Sequence, residues 1–214
     1  MMVGDDFDAR AGDWDDDPGR VERAREAAAR VRERLLLTPT TRLLDFGAGT
    51  GLLAQALAAD VGAVVLADPA AGMRAVAEQK AAAGVFGSDV RVETLDGAFE
   101  GADGEIDVVV SMMALHHVDD LPDTLTRLYT GLRPGGRLAV IDLERDVDAS
   151  FHDPGFAGHH GFDRGPLAEL LGGAGFVDVM FGHCLAVPKH DRTYDLFLVT
   201  ARRPGEGALP DRSG

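Results

Sequence analysis

The chain is poor in cysteine and in long apolar runs. Cys184 is its single cysteine among 214 residues. One thiol cannot form an internal disulfide, and alone it cannot build a thiolate metal site. No apolar run approaches the roughly 20 residues that a membrane-spanning helix needs. The sequence therefore predicts neither a disulfide framework nor a membrane-spanning helix.

Basic charge is also scarce, with 21 Lys and Arg against 36 Asp and Glu and a formal net charge of −15. Contacts to nucleic-acid phosphates and to anionic membrane surfaces depend on Lys and Arg, so we expect neither kind of partner. The first residues are acidic, whereas a secretory signal is basic and then apolar. These features predict a cytoplasmic protein and give no indication of its oligomeric state.

What the chain does contain is a regular alternation of strand-like and helix-like patterns. Strand patterns run over 41–46, 62–67, 89–94, 106–111 and 137–142. Helix patterns run over 19–36, 50–59, 70–82, 120–132 and 163–174. This alternation predicts a doubly wound parallel sheet. Two further strand patterns, 176–181 and 193–200, are separated by only a loop and predict an antiparallel hairpin at one edge.

The most informative segment is Leu43–Gly51, in which a buried strand stops at Asp45 and enters a turn with Gly47, Gly49 and Gly51. Glycine permits unusual backbone angles and removes side chains where a ligand must lie against the backbone. The helix that follows offers free N–H groups at its start. The spacing is Asp-x-Gly-x-Gly-x-Gly, which differs from the Gly-x-Gly-x-x-Gly of dinucleotide sites.

Carboxylates follow the next two strands. Asp68 ends the second strand and can accept hydrogen bonds from both ribose hydroxyls of an adenosine; alternatively, it caps a helix that begins at Pro69. The two roles are compatible. Asp96 follows the third strand and can accept from an adenine amino group; alternatively, Asp96-Gly97 is an ordinary turn.

The fourth strand ends in Ser111-Met112-Met113-Ala114-Leu115-His116-His117. Small and soft residues there can line the pocket of a sulfonium cofactor. An imidazole at this position can act as a general base, although a histidine is more often a structural hydrogen-bonding group.

Together these segments resemble the class I S-adenosylmethionine-dependent methyltransferases, in particular the small-molecule group that includes quinone-biosynthesis enzymes. The resemblance rests on Leu43–Gly51, Leu66–Ala70, Leu95–Gly97, Ile106–Asp119, Leu132–Leu143 and Ala174–Phe176. It implies a Rossmann-like seven-stranded sheet of order 3-2-1-4-5-7-6, with strand 7 antiparallel and helices on both faces. The chain lacks the Asn-Pro-Pro-Tyr that amino-methylating DNA enzymes carry after strand four.

The resemblance also implies a cofactor site. Asp45 and the glycine turn would lie close to the methionine part of the cofactor, Asp68 would hold the ribose, and Asp96 would lie by the adenine. Ser111 and Met112 would face the cofactor beside the substrate opening. The implied cofactor contacts are Asp45, Gly47, Ala48, Gly49, Gly51, Asp68, Pro69, Met73, Asp96, Gly97, Ser111 and Met112. The implied reaction moves a methyl group from S-adenosylmethionine to a small organic acceptor and leaves S-adenosylhomocysteine.

The catalytic residues are less clearly indicated. A base is required only when the acceptor arrives protonated, and His117 and His160 are the candidates. The histidines at 152, 159, 160 and 183, with Asp153, allow three interpretations: a packed loop, a base or substrate contact, or a transition-metal site. We assign no metal. Two other functions stay open: a cofactor-binding regulator without transferase activity, and an NAD-dependent oxidoreductase.

The predicted organisation has three parts: an N-terminal flap and helix (1–40) that cap the site, the S-adenosylmethionine-binding domain (41–200), and a disordered tail (201–214). Phe7 and Trp14 lie among the acidic residues of the first segment. That segment is either a solvated tail or a flap whose aromatic side chains close over the cofactor.

Overall fold

The structure, a computed structural model, describes residues 5–100, 104–189 and 191–205, except for the side chains of Asp5 and Asp6. Its α-helices are α1 (Asp5–Arg10), α2 (Pro18–Arg34), α3 (Leu52–Leu57), α4 (Ala71–Ala82), α5 (Leu121–Gly131) and α6 (Arg164–Gly173). Its strands are β1 (Arg42–Phe46), β2 (Ala63–Ala67), β3 (Val90–Glu93), β4 (Ile106–Met112), β5 (Leu132–Leu143), β6 (Val177–Lys189) and β7 (Arg192–Arg202). None of the described helices is long and apolar enough to cross a membrane.

All seven strands form one sheet of order β3-β2-β1-β4-β5-β7-β6. The strands from β3 to β5 pair in parallel, while β7 runs antiparallel to both β5 and β6. The predicted order, the antiparallel strand 7 and the hairpin are therefore confirmed.

The hairpin strands are longer than the predicted 176–181 and 193–200. Register shifts interrupt the pairing of β6 with β7 between Val177 and Met180 and between His183 and Leu185. Such bulges break the two-residue alternation on which a sequence prediction depends. Because β7 continues to Arg202, the first two residues of the predicted tail belong to the sheet, and residues 206–214 lie outside the described residues.

Two apolar layers cover the sheet because neighbouring strand residues point to opposite faces. Leu43 packs in one layer, with buried residues of α2, α3 and α4. Leu44 packs in the other, with buried residues of α5 and α6. Burial on both faces explains the continuously apolar strands in the sequence.

The sheet also sets where a ligand can bind. β1 and β4 are neighbours in the sheet, but the chain continues from β1 to β2 on one side and from β4 to β5 on the other. In doubly wound sheets this switch point opens a crevice at the carboxyl ends of the strands. The segments that follow β1, β2 and β4 meet in that crevice.

Candidate functional site

A cavity of about 660 Å³ lies at the carboxyl ends of β1, β2 and β4. This volume falls within the range typical of small-molecule sites. One wall is formed by the segments after β1 and β2. The opposite wall is formed by the segment after β4, the loop 151–157 and the end of β6, and α1 and α2 line the remaining side. We call this cavity the cleft.

The glycine turn forms the floor of the cleft. Gly47, Gly49 and Gly51 have positive φ angles of 72°, 56° and 83°. At Gly51, a Cβ would lie 2.8 Å from the Cζ atom of Phe86, so a side chain there would collide with the core. The N–H groups of Gly47 and Ala48 donate to the Ala67 carbonyl, which fixes the turn against the end of β2.

Asp68 links the glycine turn to α4. Its Oδ2 accepts a hydrogen bond of 2.7 Å from the Gly49 N–H, and its Oδ1 accepts one of 2.9 Å from the Ala70 N–H. Burial raises the pKa of Asp68, and these two bonds oppose the rise. The helix-cap alternative is not confirmed, because α4 begins at Ala71 with Ala70 as its N-cap. Asp68 instead holds the turn before α4 and lines the cleft.

Asp45 is the most deeply buried acid of the cleft, with 1% of its surface exposed. Its Oδ2 accepts a hydrogen bond of 3.1 Å from the Ala54 N–H in α3. Burial raises the pKa of Asp45 to about 7, the Ala54 N–H lowers it, and the nearby Asp68 charge adds to the rise. A cation beside this acid would lower its pKa and favour the ionised form.

The N-terminal segment closes one side of the cleft. The Phe7 ring contacts the rings of Trp14 and His117 at centroid distances of 5.8 and 5.2 Å. The Arg20 guanidinium lies 4.1 Å from the centroid of the Trp14 ring. Both aromatic side chains that the sequence singled out thus lie on the cleft wall.

Two acids attach this segment to the rest of the protein. Asp15 accepts a hydrogen bond of 2.5 Å from the Thr50 hydroxyl and pairs with Lys80 at 2.7 Å. Asp8 accepts a bond of 2.5 Å from the Gly72 N–H at the start of α4. The segment is therefore held at the glycine turn and at α4, which both border the cleft.

The opposite wall holds a buried pair that the sequence analysis missed, His116 and Asp142. The Nδ1 of His116 lies 2.6 Å from the Oδ1 of Asp142, and the two residues are 2% and 0% exposed. Asp142 also accepts from the N–H groups of His116 and Leu143. The sequence did carry a signal for this pair. Asp142 lies within the apolar run of β5, and a carboxylate buried there requires hydrogen-bond donors.

Two further imidazoles lie beside this pair. Burial lowers the pKa of His117 to about 4 and that of His152 to about 3, and the neighbouring His116 lowers both further. His152 stacks on Phe156 with ring centroids 3.7 Å apart. Neither ring nitrogen of His152, nor the Nδ1 of His160, has a hydrogen-bond partner among the described residues.

The structure brings most of the predicted cofactor residues to the cleft. Those that line it are Asp45, Gly47, Ala48, Gly49, Asp68, Pro69, Met73 and Met112. Gly51 lies just behind, as the residue that precedes α3. Of the two predicted catalytic residues, His117 lines the cleft, whereas His160 lies behind it, with its ring 5.5 Å from that of His152.

Other predicted residues lie outside the cleft lining. Asp96 is exposed and pairs with Arg127 at 2.8 Å, and Gly97 begins a short 3-10 turn. The Ser111 hydroxyl is fully buried and donates to the Phe46 carbonyl. His183 pairs on the surface with Asp195. In the part of the chain that the structure describes, no group of three or more His, Cys, Asp or Glu residues could hold a metal.

A protein-family model described as "Methyltransferase domain" matches residues 20–180, which is most of the chain. The chain belongs to this methyltransferase family. The predicted resemblance to class I S-adenosylmethionine-dependent methyltransferases is thereby confirmed, and S-adenosylmethionine is the methyl donor that the family implies.

Curated relatives of this methyltransferase include two enzymes named for quinone biosynthesis. The ubiquinone biosynthesis O-methyltransferase of Rhizobium johnstonii is 33% identical over 109 residues, which cover 51% of this chain and 44% of that protein. The demethylmenaquinone methyltransferase of Mycolicibacterium gilvum is 32% identical over 121 residues, which cover 56% and 50%. The chain thus spans about half the length of these relatives.

Solved methyltransferases share the fold at lower identity. The phosphoethanolamine N-methyltransferase 2 of Haemonchus contortus, solved with phosphomonomethylethanolamine and S-adenosylhomocysteine, superposes with a TM-score of 0.67. It is 18% identical, and the match covers 84% of this chain and 52% of that one. At this identity the likeness shows the shared fold.

Proposed function

We propose that this methyltransferase transfers a methyl group from S-adenosylmethionine to a small organic acceptor. The observation that carries the proposal is the construction of the cleft. One wall presents Asp45, Asp68 and the glycine turn, and the facing wall presents aromatic and imidazole side chains in the same cavity. A donor and a small acceptor can therefore lie side by side.

The residues on the first wall fit the chemical groups of the donor. Asp68 can accept from the ribose hydroxyls and Asp45 can pair with the α-ammonium group, while Arg20 and Arg23 supply cations for the carboxylate. Met73 adds an apolar, polarisable surface beside Gly49. When bound, S-adenosylmethionine supplies a methyl group on a positively charged sulfur that leaves as a neutral thioether.

The protein's own contribution is alignment. The glycine turn and Asp68 are held by backbone hydrogen bonds, so little movement is needed when a ligand binds. The aromatic side chains of the N-terminal segment and of the loop 151–157 line the space between the two walls, where they can exclude water once the ligands fill it. No leaving anion has to be stabilised, because the thioether is neutral.

A ring-shaped acceptor suits the second wall. The His152 ring packs against both Phe151 and Phe156 there, and flat surfaces of this kind bind planar molecules well. The names of the two quinone-biosynthesis relatives support the same class of acceptor. We propose a small aromatic molecule.

Titration with S-adenosylhomocysteine, with NAD as the control, tests the proposal. We expect saturable heat of binding with S-adenosylhomocysteine and none with NAD, followed by turnover of S-adenosylmethionine with at least one member of an aromatic acceptor panel. Binding of NAD alone would overturn the proposal and favour an oxidoreductase. Binding of S-adenosylhomocysteine without any turnover would favour a regulatory protein.

We also propose that the N-terminal region (1–40) acts as a cap over the cleft. The contacts of Asp15 with Thr50 and Lys80 support this role, because they connect the N-terminal segment to the glycine turn and to α4. A cap held by such contacts closes more firmly when a ligand fills the space beneath it.

Replacing Asp15 by alanine should open the cap. We expect S-adenosylhomocysteine affinity to fall about 5- to 30-fold, because one hydrogen bond and one partly buried ion pair are lost. Tryptic cleavage after Arg10 should become faster and should no longer slow when S-adenosylhomocysteine is added. Asp16→Ala is the matched control, since Asp16 is exposed on the same turn. Equal protection by S-adenosylhomocysteine in both variants would contradict the role of Asp15, and cleavage that the ligand does not slow in the wild-type protein would show that the segment is a plain tail.

A further inference from the structure

We infer that the acceptor reacts through a hydroxyl group and that the Nε2 atom of His116 takes the hydroxyl proton, with Asp142 as its positioning residue. The inference rests on the proposed methyl transfer and names the acceptor class of that same site. It moves the catalytic base from His117 or His160, the sequence candidates, to their neighbour His116.

The geometry of the pair leaves one ring nitrogen ready to accept a proton. Asp142 accepts hydrogen bonds, so its contact with Nδ1 holds the tautomer that carries hydrogen on Nδ1. The other two donors to Asp142 are backbone N–H groups, of His116 and Leu143, which fix the carboxylate in place. The Nε2 atom of His116 then bears a lone pair, no described residue hydrogen-bonds to it, and His116 is one of the residues that line the cleft.

The neighbouring imidazoles are poor candidates for this role. The rings of His117 and His152 lie 4.2 and 5.0 Å from that of His116, and burial lowers the pKa of each well below neutrality. Neither forms a hydrogen bond with a carboxylate of the described chain. They remain neutral and can donate or accept hydrogen bonds to a substrate oxygen. Among the cleft imidazoles described, His116 has the buried carboxylate that offsets a new positive charge.

The paired base itself favours an oxygen nucleophile. A hydroxyl acceptor must lose its proton as the new bond forms, and His116 with Asp142 can take that proton. A neutral amine attacks through its own lone pair and needs no base for that step.

The step balances without a further reactant. The O–H bond breaks and the proton passes to the Nε2 of His116, while an oxygen lone pair forms the new bond to the methyl carbon. The bond between that carbon and sulfur breaks, and its electron pair stays on sulfur. The products are a methyl ether, S-adenosylhomocysteine and a protonated His116, which returns its proton to water when the products leave.

A spectroscopic experiment on the protein loaded with S-adenosylhomocysteine tests the inference without turnover. A panel of nitrophenols and nitronaphthols serves as the probe, because each changes its visible absorbance when the hydroxyl ionises. At a pH where the free probe is mostly protonated, we expect the wild-type complex to bind it in the ionised form. His116→Gln should bind the probe with its proton retained, and Asp142→Asn should fall between the two.

Groups that face His116 can also affect the probe, namely His117 beside it, Asp142 from β5 and His152 from the loop 151–157. His117→Gln is therefore included. Because His117 lines the cleft and can hydrogen-bond the probe oxygen, we expect this variant to bind the probe more weakly, but the bound probe should stay ionised. His183→Gln controls for the substitution itself, since His183 is exposed and pairs with Asp195 on the hairpin. S-adenosylhomocysteine affinity, measured in parallel, should stay within about twofold in every variant.

Activity gives the second readout. With any phenol that the wild-type protein methylates, His116→Gln should lower kcat about 100- to 1000-fold, and more for weakly acidic phenols than for strongly acidic ones. A wild-type complex that binds no probe, binds it with its proton retained, or ionises it equally in His116→Gln overturns the inference. A wild-type protein that does not bind S-adenosylhomocysteine would instead contradict the proposed function. Failure of the inference and failure of the proposed function are therefore distinguishable.

Discussion

Asp68→Ala should weaken S-adenosylhomocysteine binding about 100-fold, because hydrogen bonds from a ligand to a charged group contribute about 1.5–3 kcal/mol. Two effects contribute. The ribose loses its acceptor, and the glycine turn loses the bond from Gly49 N–H to the carboxylate that keeps the turn facing the cleft. Calorimetric titration measures the change directly.

Conservative replacement separates these two effects. Asp68→Asn keeps one oxygen that can accept from Gly49 or Ala70 but removes the charge, so we expect a loss smaller than that of the alanine variant. Asp178→Ala is the surface control, because Asp178 is exposed and pairs with Arg202 at the hairpin, away from the cleft lining. An affinity in Asp68→Ala within threefold of wild type would contradict the cofactor assignment.

Most of the fold could be predicted because its signals are local. Each strand and helix carries its own apolar pattern. The glycines of the Gly47–Gly51 turn indicate positive φ angles, which few other residues adopt. The first half of β5 was missed for a physical reason. The pairs Ile106–Leu132 and Val108–Arg137 flank a bulge at residues 133–136, whose Pro-Gly-Gly sequence indicates a turn.

The first wall of the cleft could be predicted for the same reason, because Asp45 lies near the end of β1 and Asp68 directly follows β2, two strands that the pattern identified. The His116–Asp142 pair was not predicted, because its partners are 26 residues apart and meet only when β4 and β5 align. His160 is the opposite case, in which proximity along the sequence did not correspond to a position in the cleft. Its sequence neighbours suggested a site, whereas the structure places it one ring behind His152, outside the cleft lining.

Asp45→Asn should stabilise the ligand-free protein at alkaline pH and have little effect at pH 4. The folded protein keeps the proton of Asp45 up to a pKa of about 7, whereas the unfolded chain loses it near pH 4. Between these values the folded state binds more protons, so stability falls as pH rises, by on the order of 4 kcal/mol in all. Above pH 7 the loss is complete.

Thermal unfolding across pH measures this effect. At pH 8 we expect the Tm of Asp45→Asn to exceed that of wild type by about 5–15 °C, and at pH 4 we expect the two to coincide. General repulsion among the acids of this chain also lowers stability as pH rises, but it acts equally on both proteins. Asp178→Asn, at an exposed site, should follow wild type throughout.

Ligand affinity should change in the opposite direction with pH. If Asp45 pairs with the α-ammonium group of the cofactor, the ionised form binds, so S-adenosylhomocysteine affinity should fall by up to tenfold per pH unit below pH 7. Asp45→Asn should bind weakly at every pH and lose this dependence. A carboxylate that served only the fold would give the stability curve without the affinity curve. The two titrations therefore distinguish a buried structural acid from one whose unfavourable burial is maintained for binding.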